Sequence, residues 1–145
     1  MWRMTPARKT RIVACAALVA LLGACSPPVR DYGEKKILEV QDLEELMYVQ
    51  ATVADRRFRL ARRADPEAMK PDQFGEFEDM GRRLLAAARV LPRFSKGPEF
   101  DAYAKQMGER AGELERAAKA RDGKATIELA GQIRQVCAAC HDKFR

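Results

Sequence analysis

The chain has 145 residues, of which 33% are charged and 47% hydrophobic, with a formal net charge of +6. That length fits one domain. Four of the 27 basic residues, Arg3, Arg8, Lys9 and Arg11, precede an apolar run; without them 23 basic residues face 21 acidic ones, a charge of +2 that gives no argument for nucleic acid.

Residues 12–24 form an uninterrupted apolar run of thirteen. It is too short to span a bilayer and right for the core of a signal peptide. The run ends Leu22-Gly23-Ala24-Cys25. Leu22 fits the A-x-A cleavage pattern poorly. The four residues instead resemble a bacterial lipobox, in which Cys25 is lipidated and becomes the new N-terminus. An ordinary secretion signal with a spare cysteine is the other reading. Ser26, standing where an Asp would mark inner-membrane retention, slightly favours the outer membrane. Ser26-Pro27-Pro28 reads as an extended tether, because tandem prolines favour polyproline II. The expected division is a lipoprotein signal over residues 1–24, a tether over 25–30 and a folded domain over 31–145, on the periplasmic face of a bacterial membrane.

From about residue 31 the composition turns helix-forming, and no strand-like alternation follows. The first helix is expected over residues 31–63, with Ile37, Val40, Met47, Ala51, Ala54, Phe58 and Ala61 as its apolar stripe. Arg56, Arg57, Arg59, Arg62 and Arg63 crowd its end and read as a solvated face that complements the helix dipole, rather than as a lipid or partner contact. Asp65-Pro66 and Lys70-Pro71 punctuate a loop. The second helix is expected from Asp72, as N-cap, to the residue before Pro92, with Phe74, Phe77, Met80, Leu84, Ala88 and Leu91 turned inward. Pro98 suits the first turn of the third helix. Phe100, Tyr103, Met107, Ala111, Leu114 and Ala117 face inward there, while Gly108 and Gly112 permit close approach of a neighbour. Asp122-Gly123 makes a tight turn, and a fourth helix runs from Lys124 to the end, burying Ile127, Ala130, Ile133, Val136, Cys140 and Phe144. Four helices with short connections argue for an all-α, antiparallel up-down-up-down four-helix bundle.

The most informative segment is Cys137-Ala138-Ala139-Cys140-His141, four residues from the end. C-x-x-C-H is the attachment signature of a c-type haem. Two thiols bond the vinyl groups and the imidazole takes one axial position on the iron. A structural zinc site needs four ligands, and no second Cys/His group completes one. A thioredoxin-like pair sits at a helix N-terminus, where the dipole stabilises a thiolate; this pair lies at a helix C-terminal end. His141 is the only histidine, so a second axial ligand comes from another residue type upstream. At spacings of three and four, Cys137, Cys140 and His141 project from one helix face, with Arg145 four residues beyond the imidazole. Cys15 leaves with the signal, Cys25 carries lipid, and Cys137 and Cys140 carry haem, so no disulfide is left to propose.

The C-terminal Cys137-Ala-Ala-Cys-His141-Asp-Lys-Phe144-Arg145, with Leu91-Pro92, Glu99-Phe100 and Ala117-Ala-Lys-Ala-Arg-Asp-Gly123, resembles cytochrome c prime, the class II c-type cytochromes. The resemblance implies a four-helix bundle carrying one covalent haem c, with His141 as proximal ligand and Phe144 and Arg145 beside the haem. It also implies a distal site on the first helix, either vacant and gas-binding or filled by a Met in low-spin electron carriers. Met47 sits near that position; Leu43 stands where the family often has Arg. Met47 is thus either the second metal ligand or core filler, as a Met on an apolar stripe often is. Met80 and Met107 fit core positions. The family often dimerises through its first two helices, which leaves a homodimer open alongside the monomer.

Two functions from different classes follow. One is a membrane-anchored mono-haem cytochrome, held by lipid at Cys25 and exchanging electrons with a redox partner protein outside the cytoplasm. The alternative is a five-coordinate haem protein that binds nitric oxide or carbon monoxide. Peroxidase-like catalysis usually needs a distal acid/base, and no second histidine serves; the chain is not expected to be an enzyme.

Overall fold

The computed structural model describes residues 32–145. The signal, Cys25 and the tether expected at residues 1–30 lie outside them. Among the described residues the regular structure is helical: α1 Glu34–Leu38, α2 Leu43–Ala61, α3 Pro71–Val90, α4 Pro98–Lys119 and α5 Gly123–Phe144, with 3₁₀ turns at Pro66–Ala68 and Leu91–Phe94. The four long helices pack against one another as the expected bundle. α2 touches α3 and α5, and α4 bridges α3 and α5.

The first expected helix is two. The chain breaks after Leu38 and restarts at Asp42, whose side chain accepts a hydrogen bond from the Glu45 backbone N–H at 2.7 Å. Asp-Leu-Glu-Glu is an N-cap followed by acids in the first turn, which stabilises a new helix start by about 1 kcal/mol. Ile37 and Val40 still reach the core from α1 and the break. α3 starts one residue before its expected cap, with Pro71 in its first turn and the Lys70 N–H donating to Gln73 Oε1 at 2.8 Å. Pro92 does not stop the chain dead. It lies in a 3₁₀ turn that continues directly from α3, where its missing N–H costs little. The Asp122-Gly123 turn is also built differently. Arg121 carries the positive φ of 58°, Asp122 caps α5 through the Ala125 N–H at 3.0 Å, and Gly123 is already helical.

The core runs through Leu46, Val49 and Val53 of α2, Phe77, Met80 and Leu84 of α3, Met107 and Leu114 of α4, and Ala130 and Ile133 of α5. On α2 the expected stripe holds in part: Ala54 and Ala61 are buried, but Met47 and Phe58 are half-buried and Ala51 is exposed, and Leu46, Val49 and Val53 supply the rest of the core face. The helix carries two apolar faces, one turned into the core and one bordering the site described below.

Two of the five crowded arginines also bind inward. Arg57 donates to the Glu76 carbonyl at 3.0 Å and to Asp79 Oδ2 at 3.1 Å, and Arg56 pairs with Glu76 at 2.8 Å. These bonds tie α2 to α3, and the half-buried Arg57 pair outweighs an exposed one of the same length. Arg59, Arg62 and Arg63 are on the expected exposed face or nearly so.

Backbones approach closely at two places: Gly123, at the start of α5, lies against the Pro66 carbonyl, and Gly81 lies in the seam where α3 meets α4. A Cβ on Gly81 would stand 2.7 Å from both the Ala111 carbonyl oxygen and the Glu115 nitrogen. Gly108 faces Ala88 in the same seam, with a virtual Cβ 3.0 Å from its methyl, as expected; Gly112 meets only ordinary contacts.

Candidate haem site

Cys137, Cys140 and His141 lie in the last two turns of α5 and border two adjoining apolar grooves. One groove, with about 340 Å³ of empty space, opens between α2, α4 and α5 and is walled by Phe100, Tyr103, Met107 and Val136. The other, about 380 Å³, opens between α2, α3 and α5 and is walled by Ala51, Ala54, Phe58 and Leu84. Four residues border both: Met47 and Gln50 from α2, Cys137 and His141 from α5. The bundle thus brings together residues from near the two ends of the described chain, because α2 and α5 are neighbours in the closed ring of helices.

The two thiols are free and half-buried. Burial, with the neighbouring Cys140 and Asp55 adding to it, pushes the Cys137 thiol from its ordinary 9.0 up to about 11. Burial also raises Cys140, partly offset by the Lys96 ammonium. Burial thus disfavours the thiolate at both positions, the opposite of the environment a thioredoxin-like pair needs. Among the described residues no cluster of three or more His, Cys, Asp or Glu side chains converges as a metal site.

The end of α5 is fastened to the start of α4. Phe144 meets Phe100 edge-on at 5.5 Å and Tyr103 at 6.2 Å, both walls of the first groove. Its carbonyl accepts from Lys96 Nζ at 3.0 Å, and Lys143 pairs with Glu99. Phe144 therefore stands behind the groove wall. Arg145 is exposed, and its backbone N–H closes the helix on the His141 carbonyl at 3.2 Å. Of the three methionines weighed from the sequence, Met47 borders both grooves, Met107 borders one and Met80 is wholly in the core.

One residue the sequence reading passed over is Gln50. Its Nε2 is buried without a hydrogen-bond partner. Leaving such a donor unmet costs about 1–3 kcal/mol. The signal for it was a polar side chain three residues after Met47, inside an otherwise apolar face.

These features fit a covalently held haem: two free thiols one helical turn apart, an imidazole on the same face, apolar grooves on both sides and an unmet donor within. The chain matches the family model for Cytochrome C′ over residues 40–145 and belongs to the cytochrome c′ family. Members of that family are generally non-enzymatic and bind one covalent c-type haem through a C-terminal C-x-x-C-H, here Cys137, Cys140 and His141. No curated protein and no solved structure matches the chain.

Proposed function

We propose that the protein is a lipid-anchored, mono-haem electron carrier on the periplasmic face of a bacterial membrane, with Met47 as the second axial ligand. One observation carries the ligand assignment: Met47 and His141, from the first and last long helices, border the same two grooves. The haem supplies a one-electron couple whose potential follows its axial ligands and burial. When haem is bound, His141 and Met47 would be the side chains that ligate its iron, and the apolar walls would pack against the ring. Phe144 keeps the last turn of α5 seated on α4, so His141 stays in register with α2. The anchor rests on Leu22-Gly23-Ala24-Cys25 after a short apolar core, and Ser26 favours the outer membrane. Held there, the protein exchanges electrons with a redox partner protein, alone or as a dimer.

An absorption spectrum of the oxidised and reduced protein tests the reading. The wild type is expected to be low-spin with the weak ferric charge-transfer band of a Met–iron bond, and Met47→Ala to turn high-spin and take up carbon monoxide. The second reading, a site open to nitric oxide or carbon monoxide, has the room in both grooves beside Met47 in its favour. A high-spin wild type that binds carbon monoxide directly would overturn the Met47 assignment in favour of that reading. For the anchor, Cys25→Ser is expected to release processed protein from the membrane fraction or to block processing; a processed variant that stays membrane-bound removes the anchor from the proposal.

A further inference from the structure

Gln50 stands one turn beyond Met47 on α2, and at that spacing the two side chains share a face. It borders both grooves beside Cys137 and His141. Met47, Ala51, Ala54, Ala104 and Val136 wall the grooves with carbon, and neither Asp55 nor Tyr103, the other polar side chains of α2 and α4 that border them, bonds the Gln50 amide nitrogen. No protein group accepts from its buried Nε2. Buried amide donors are nearly always bonded to something, and a leucine of similar size would fill the same space without an unmet N–H. The acceptor is therefore expected to arrive with whatever enters the grooves.

We infer that Gln50 is the hydrogen-bond donor to a small ligand at the sixth iron position, selecting ligands that carry an acceptor atom beyond the one bound, such as carbon monoxide or nitric oxide. The inference rests on the haem reading above and deepens it. Because Met47 would fill that position at rest, a ligand must first displace it: Met47 governs access, and Gln50 governs how firmly the incoming ligand is held afterwards. A fixed donor in a water-poor groove acts more strongly than the same group in water. A site of this kind separates two tasks on successive turns of one helix.

The test is infrared spectroscopy of the carbon monoxide complex of the reduced, full-length holoprotein. In a Met47→Ala background the ligand's stretching band is expected at low frequency, because a donor at the ligand oxygen weakens the C–O bond. Adding Gln50→Leu is expected to move the band to higher frequency and to speed carbon monoxide dissociation several-fold. Gln50→Met, of closer length, is expected to behave as Gln50→Leu does. Gln50→His, which restores a donor, is expected to return the band toward its lower position. Covalent haem content is measured for every variant, so the comparison uses only loaded protein. Band positions and dissociation rates that are the same with and without Gln50 overturn the inference, and would mean that its N–H serves a haem carboxylate instead. A wild type that takes carbon monoxide unaided refutes Met47 ligation, and the same comparison is then made between wild type and Gln50→Leu. The two failures thus show in different measurements.

Discussion

Along the α3–α4 seam, backbone meets backbone: the space a Cβ on Gly81 would need is already taken by Ala111 O and Glu115 N at 2.7 Å. Across the bundle, α2 and α5 make much less contact with each other and leave grooves of about 340 and 380 Å³ at either side of Met47, Gln50, Cys137 and His141. The same type of helix builds both seams. Small residues at crossing points close one; thioether, amide, thiol and imidazole side chains hold the other ajar. A bundle that must take in a large flat group needs one seam dense enough to stand without it.

Three variants set this contrast at risk. The largest effect is expected from Cys137→Ser with Cys140→Ser, which removes both attachment points. No haem should remain on the polypeptide after acid-acetone extraction, while the far-ultraviolet helix signal largely persists because the dense seam does not depend on the thiols. Loss of all helicity would show that both seams need the haem. Next comes Gly81→Ala. Its methyl has no room, and overpacking of this kind costs about 1–3 kcal/mol, read as a lowered urea midpoint. A midpoint unchanged within error would mean that the dense seam yields easily. The smallest effect is expected from Gly131→Ala on α5, where a Cβ meets nothing within 4 Å. There the gain in helix propensity, up to about 1 kcal/mol, should leave the midpoint level or slightly higher. Equal losses at Gly81 and Gly131 would erase the distinction.

The two seams were also unequally legible. Cys137, Cys140 and His141 announce their chemistry by spacing alone, and Met47 lies on an evident stripe, so both sides of the open seam were visible before any fold was known. Gly81 was not, because its need to be small comes from α4, thirty residues on, and nothing near it in sequence records that crossing. The break before α2 was missed for a different reason. Ile37 and Val40 continue the helical spacing, so periodicity runs straight across a boundary that only the cap at Asp42 reveals. The inner face of α2 was missed because a helix bounded by two neighbours has two apolar stripes. Spacing picks out Met47, Ala51 and Phe58 beside the buried Ala54 but cannot say that Leu46, Val49 and Val53 lie deeper than those three. Gln50 became conspicuous only when its amide was found buried without an acceptor.

The grooves are framed by the first and last of the long helices, and this fixes an order of events. α3 and α4 are joined by a short connection, and contacts so close in sequence form with little loop entropy to overcome. Closing α2 on the end of α5 spans nearly the whole described chain and is the slowest contact of the bundle to form. Cys137 stands at that last contact, so closing α2 on α5 would also enclose a group already attached to the two thiols.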